Sequence, residues 1–267
     1  MEVWRSTRPV ECGWSDGFGY AQNGDVLMGQ LDLPEADIDD LDHASARAYV
    51  HIEALLHRTG YPSWLRIWNY LSHINRGEGD NERYRLFTQG RFRALALKPG
   101  FEASLPAATA IGTPAGGLLI FFLAARSPGV QAENPRQVSA FHYPRQYGRR
   151  SPSFSRATEK QWAHSRQLFI SGTAAVVGHA TMHEGNALEQ LEETARNVRS
   201  LIESTGMPQA RPLGLKLYVR KPEHFDAARK RALEIFSPDA PLLCLQGDVS
   251  REHLLVEMEA LYADGER

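Results

Sequence analysis

Cysteine is nearly absent: Cys12 and Cys244 are the only two in 267 residues. That is too few for a disulfide framework, and the pair reads as thiols in a reducing, cytoplasmic compartment. An excess of charge of either sign is also lacking. Thirty basic residues stand against thirty-two acidic ones, for a net charge of -2, which leaves no electrostatic footprint for tracking phosphates and excludes nucleic acid as a partner. Apolar runs such as Leu118–Ala125 have strand length, far short of the roughly 20 residues that span a bilayer, so no membrane span is read. The start, Met1-Glu2-Val3-Trp4-Arg5, has no basic stretch followed by an apolar one, and nothing points to export. Catalytic signatures are missing too. There is no GxSxG elbow, phosphate loop or dinucleotide fingerprint after a strand, which disfavours covalent serine chemistry and nucleotide cofactors. His179 and His183 have HxxxH spacing, but Gly178 and Gly185 interrupt helicity and only Glu184 could assist. No metal and no cofactor are therefore expected.

What is present is a globular composition, 42% hydrophobic and 23% charged, enough for one large domain or two small ones. In the second half, Leu188, Leu191, Ala195, Val198 and Ile202 recur at helical spacing, with Asn186 placed to cap the start and Gly206 just past the end. A strand over 213–219 follows, then a helix opened by Pro222 with Phe225, Ala228, Ala232 and Ile235 along one stripe, then strands over 241–245 and 254–261. The first half repeats this order: a helix through Ala48, Ile52, Leu55 and Leu56 ending near Gly60, a strand over 65–70, a helix around Tyr84, Phe87, Arg91 and Ala94, and strands over 107–111 and 117–125. Extended segments over 26–33 in one copy, and 138–143 with 167–170 in the other, precede the first helix of each.

The repetition predicts an α/β (α+β) fold of two tandem units of roughly 130 residues, each a mixed sheet with helices packed on one face. The expected units are 1–131 and 132–267, joined by a Pro- and Gly-containing connector over 126–136. Val3-Trp4-Arg5 reads as a strand whose partner lies upstream, so a preceding segment is expected. Assembly into an oligomer stays open.

Side chains alternate across a strand. On the last strand, Leu254, Val256, Met258 and Ala260 share the packed face, and Glu257 and Glu259 point the other way. An exposed strand face would look the same. In the matching strand of the first copy, however, Phe121 and Leu123 stand at those positions, so the acids belong to one copy only. A carboxyl group set in an apolar sheet has its pKa raised and suits proton donation near neutral pH. On the strand 215–220, Lys216, Tyr218 and Arg220 share a face, either as a solvated basic strand or with Arg220 as an anion anchor beside Glu257. The loop 141–157 is dense in Tyr, Arg, Pro and Ser, and can line a pocket or form basic surface. Ile170-Ser171-Gly172-Thr173-Ala174 ends a strand at a glycine, either a plain turn or a place where a ligand meets the backbone.

The stretches Glu2-Val3-Trp4-Arg5-Ser6, Asn134-Pro135-Arg136-Gln137-Val138-Ser139-Ala140, Tyr143-Pro144-Arg145-Gln146-Tyr147-Gly148, Arg150-Ser151-Pro152-Ser153-Phe154-Ser155-Arg156-Ala157, Phe169-Ile170-Ser171-Gly172-Thr173-Ala174 and Leu254-Leu255-Val256-Glu257-Met258-Glu259 together resemble the chorismatases. The closer resemblance is to the type that makes 3-hydroxybenzoate and 4-hydroxybenzoate for bacterial pigment and ubiquinone synthesis. It implies two YjgF/RidA-like halves, the small molecule chorismate as substrate and no cofactor. It further implies that Glu257 protonates the enolpyruvyl methylene, and that Arg220, Tyr143, Tyr147, Arg156, Gly172, Thr173 and Tyr218 surround the substrate. Ser250, seven places before the acid, and Ala174 are the candidates for product choice. The rival readings are an imine hydrolase of the RidA kind and a noncatalytic metabolite-binding protein.

Overall fold

The structure, a computed structural model, describes residues 3–265; Glu2 of the first motif lies outside the described residues. The first unit runs β1 (Glu11–Ser15), β2 (Phe18–Gln22), β3 (Val26–Leu33), α1 (Leu41–Thr59), β4 (Ser63–Ser72), α2 (Arg83–Leu95), β5 (Ala107–Thr113) and β6 (Leu118–Ala125). The second runs β7 (Val130–Ala132), β8 (Ala157–Gln161), β9 (Ser165–Thr173), the small ribbon β10 (Val176–Val177) and β11 (Ala180–Thr181), α3 (Ala187–Ser204), β12 (Arg211–Val219), α4 (Phe225–Phe236), β13 (Leu242–Gln246), β14 (Asp248–Val249) and β15 (Val256–Gly265).

The duplication is visible in the strand order. One sheet is β1-β2-β3-β6-β4-β5 with β14 added, and the other, taken from its matching edge, is β7-β8-β9-β15-β12-β13. In each sheet one neighbouring pair is parallel, β4 with β5 and β12 with β13. A parallel pair needs a crossover, which α2 and α4 supply. The helix ends follow local chemistry. Asp40 accepts from the His43 N–H and Asn186 from the Glu189 N–H, while Gly60 closes α1 at φ 79°, a conformation costly for any residue with a Cβ.

Helices α1 and α2 bury Ile52, Leu55, Leu56 and Phe87 against Ile67, Leu71 and Phe122 of the first sheet. Helices α3 and α4 bury Leu191, Val198, Ala228 and Ala232 against Leu215, Leu217 and Met258 of the second. The two sheets then meet through their other faces, with Trp68, Ala107 and Leu123 against Phe169. The layers are thus helix, sheet, sheet, helix, and Glu257 and Glu259 lie buried between the sheets. Among the described residues no helix is long and apolar enough to cross a membrane.

Several expectations give way. Val3-Trp4-Arg5 forms no strand; the Trp4 ring lies against Trp68 and Phe169, at centroid distances of 6.2 and 6.4 Å. The connector contains β7, which pairs with β8, so the expected boundary at 131/132 falls inside a strand of the second sheet. Residues 138–143 are an irregular segment with a short 3-10 turn at Ala140–His142; Pro144, which lacks an N–H, follows it. The hairpin β1–β2 is an addition that its Asp16-Gly17 turn, both residues at positive φ, could have signalled. Strand β14 leaves its own unit to pair with Ile111 and Gly112 of β5, which stitches the two sheets together.

Candidate active site

A cavity of about 710 Å³ opens between the units. Glu257, from β15, forms its floor at 6% exposure. Its carboxyl fits because β9 carries a glycine beside it: a Cβ on Gly172 would sit 2.1 Å from Glu257 Oε1, well inside van der Waals contact. The Gly172 N–H donates to Thr109 Oγ1 of the first unit at 3.0 Å.

Burial, and then the neighbouring charge of Glu259, push the Glu257 pKa up to about 8, against the opposing pull of Arg66, Arg220 and Arg156. Glu257 is therefore protonated at neutral pH. Glu259 is equally buried, and burial alone would raise it, but Arg66 and Lys216 bring it below the ordinary carboxylate value. Its oxygens accept from Arg66 Nη2 at 2.8 Å, Trp68 Nε1 at 2.7 Å and Lys216 Nζ at 2.8 Å. Two carboxyl groups on one strand face thus hold opposite protonation states, the usual arrangement of an acid beside a fixed charge.

Four arginines line the walls; Arg85 is paired with Glu82, and each of the other three has buried nitrogen without a partner. Arg156 Nη2 donates to Tyr143 Oη at 2.7 Å and to the Val138 carbonyl at 2.8 Å, leaving Nε unpaired. Arg251 stacks over the Tyr147 ring at 4.0 Å and donates from Nη1 to the His179 carbonyl, leaving Nη2 unpaired. Arg91, from α2 of the first unit, is 3% exposed with both Nε and Nη2 unpaired. Gln137 Oε1 and Ser153 Oγ are buried without partners on the same cavity. Buried polar atoms are ordinarily satisfied, so this concentration marks a place built to receive a polar, anionic guest. Tyr84 completes the wall; burial first, then the proximity of Glu257, push its pKa up to about 12, while a bond to Ser250 opposes the rise.

Of the sequence candidates, Glu257, Tyr143, Tyr147, Arg156, Gly172, Ala174 and Ser250 meet at this cavity. Arg220, Tyr218 and Thr173 do not line it. All five Arg220 N–H groups are occupied: Nε by the Leu254 carbonyl, Nη1 by Asn75 Oδ1 and Asp248 Oδ1, and Nη2 by the Val249 and Arg251 carbonyls. It fastens the segment carrying Ser250 and Arg251 rather than offering donors to a ligand. Tyr218 Oη pairs with Tyr70 Oη at 3.0 Å, and the Thr173 hydroxyl donates to the Ser171 carbonyl. The sequence reading missed Arg91, Arg251, Tyr84 and Thr109. The one available signal was an arginine, Arg91, within the apolar stripe of α2.

The two histidines diverge. His183 lies 3.2 Å from Glu189 and 3.5 Å from Glu193, while the His179 carbonyl accepts from Tyr147 Oη at 2.6 Å. Among the described residues no group of three or more His, Cys, Asp or Glu side chains is placed to hold a metal ion.

Alanine at 172 is expected to cripple the site without unfolding it, because the added methyl competes for the space of the Glu257 carboxyl. A circular dichroism spectrum like that of wild type, with activity lost, is the expected pair of results; full activity would mean that the carboxyl does not work from this position.

The fold and cavity define a duplicated α+β protein with a protonated buried acid facing an arginine-rich cavity. Comparison with known proteins agrees. The family model described as chorismatase FkbO/Hyg5-like, N-terminal, matches residues 2–124. A 3-hydroxybenzoate synthase of Streptomyces hygroscopicus is 38% identical over 278 residues, covering 97% of this chain and 80% of that protein. A chorismatase of Streptomyces rapamycinicus is 38% identical over 275 residues, covering 98% and 82%. The crystal structure of a chorismatase at 1.08 Å resolution superposes with a TM-score of 0.87 at 36% identity, covering 96% of this chain and 80% of that one. The chain belongs to the chorismatase family.

Proposed function

We propose that this chain cleaves the enolpyruvyl ether of chorismate, giving pyruvate and a hydroxybenzoate, 3-hydroxybenzoate or 4-hydroxybenzoate or both. The observation that carries the reading is a carboxyl group protonated at neutral pH, set in one cavity with three arginines whose buried N–H groups lack partners. Chorismate is a dicarboxylate with an acid-labile enol ether. Arg91, Arg156 and Arg251, with Tyr143 and Tyr147, take its two carboxylates, since guanidinium groups match carboxylate geometry. Glu257 gives its proton to the methylene carbon, which leaves an oxocarbenium-like carbon for water or a ring hydroxyl to attack. Where water adds, collapse of the hemiketal releases pyruvate, and loss of water then makes the ring aromatic. Where the ring hydroxyl adds, collapse of the cyclic ketal carries that oxygen off with pyruvate, and loss of a ring proton to the Glu257 carboxylate makes the ring aromatic with no water gained or lost. No cofactor takes part.

In this reading the second unit supplies the acid and the first unit, lacking one, supplies Arg91, Tyr84 and Thr109. Gly172 makes room for the acid, and Ser250 and Ala174, both on the cavity wall, act on product choice by shaping the space around the ring. An anionic metabolite does not cross a bilayer unaided, so the reaction belongs in the cytoplasm.

Incubation of the purified chain with chorismate, followed by chromatography, tests this directly. Pyruvate and hydroxybenzoate should appear in equal amounts; a folded protein that produces neither would overturn the proposal.

A further inference from the structure

The role of Glu257 leaves a second buried acid unexplained. Glu259 is 4% exposed and on the same strand face, yet it lines a different cavity, of about 410 Å³, together with Arg66, Trp68 and Lys216. It does not line the cavity that holds Glu257. An ionised carboxylate in such a position is expensive unless it is fully bonded. Here it is bonded from both units: Arg66 and Trp68 of β4 and Lys216 of β12, with the Thr109 hydroxyl adding a bond from β5. Arg66 also bonds Thr109, whose oxygen accepts from the Gly172 N–H beside Glu257. One continuous network therefore runs from the Glu259 charge to the strand position that makes room for the acid.

The geometry points to Glu259 as a positioning residue for proton donation: a permanent negative charge, locked by Arg66, Trp68, Lys216 and Thr109, that makes it unfavourable for Glu257 to lose its proton. This inference rests on Glu257 being the proton donor. Residues two apart on one strand face lie roughly 7 Å from each other, and in a dry interior like charges at that range act strongly. The other groups facing Glu257 act in the opposite sense or are neutral. Arg66 from β4, Arg220 after β12 and Arg156 before β8 all favour its ionised form, and Tyr84 from α2 is uncharged at neutral pH. Without the Glu259 charge, burial alone would be left to oppose the three arginines. Around Glu259 itself, Tyr70 of β4 and Tyr218 of β12 are both pushed upward, burial being the main cause and the Glu259 charge the next, so neither competes for its role as the fixed anion.

The test is an infrared pH titration of the protonated carboxyl stretch, with Glu257→Gln identifying the Glu257 band by its loss. In Glu259→Gln, a shape-preserving change, the midpoint of that band should fall by about one pH unit or more, and the alkaline limb of the kcat/KM profile should fall with it. Glu259→Asp keeps the charge between Arg66 and Lys216 and should leave the midpoint close to that of wild type. That second variant keeps the test open if Glu259→Gln folds poorly with Arg66 and Lys216 left unpaired. A midpoint in Glu259→Gln equal to that of wild type, or a fall of about one pH unit in Glu259→Asp, would overturn the inference. The titration needs no substrate. A chain inactive towards chorismate but with a shifted midpoint would sink the proposed reaction alone.

Discussion

Glu257→Gln should lose turnover of chorismate by a factor on the order of 10² to 10⁴, the usual contribution of a positioned general acid, with KM nearly unchanged. Glutamine has the same shape but cannot give up a proton to carbon. The same substitution should raise stability, and the sign follows from the pKa. The ordinary value is 4.5 and the folded one about 8. Below pH 4.5 the group is protonated both folded and unfolded and the variant gains nothing. Between pH 4.5 and 8 the unfolded chain releases the proton while the folded chain retains it, so wild type grows steadily less stable. Above pH 8 the penalty is complete, at a few kcal/mol by the usual conversion of about 1.4 kcal/mol per pH unit. Thermal melts of the two proteins across this range should therefore diverge as pH rises and then run parallel. Parallel melts throughout would mean that Glu257 is ionised in the fold, and it could not then be the acid.

The acid was legible because strand periodicity is a local property. Alternation over 254–261 separates Glu257 and Glu259 from the apolar side chains whatever the strand packs against, and the helix pattern says which face is taken. The same logic misled at Arg220. Alternation fixes the face of a side chain but not its reach, and Arg220 stands just past the end of β12, where the returning chain from β14 to β15 surrounds it with carbonyls. The path of β14 itself could not be read, since a two-residue strand has no period and its partner, β5, lies far back in the other unit. Arg91, Tyr84 and Thr109 were missed for a related reason. They belong to the first unit and reach the site only because the two units dock, and the register of that docking is written in no single segment. The duplicated helix and strand order, in contrast, is a sum of local patterns and could be read from the chain.

Arg91→Met should separate function from stability in the opposite direction to an ordinary core substitution. Arg91 is fastened on one side only, its guanidinium lying 5.0 Å from the centroid of the Tyr49 ring, while Nε and Nη2 are buried without partners. An unmet buried donor costs roughly 1–3 kcal/mol, and the lost cation–π contact returns about 0.5–2 kcal/mol of that. Methionine has similar length and no donors, so the ligand-free protein should melt at the same temperature or higher. Substrate binding should suffer: hydrogen bonds from a charged donor are worth about 1.5–3 kcal/mol, which predicts a loss in kcat/KM on the order of 10- to 100-fold, mainly through KM. Arg66 is the control. It is just as buried, at 2% exposure, but its bonds to Glu259 and Thr109 are in place, so Arg66→Met breaks a buried ion pair, leaves Glu259 with Lys216 as its one remaining cation, and should cost roughly 3–5 kcal/mol of stability. If Arg91→Met destabilises the fold as Arg66→Met does and leaves KM untouched, Arg91 is part of the scaffold and the carboxylates of the substrate are held by Arg156 and Arg251 alone.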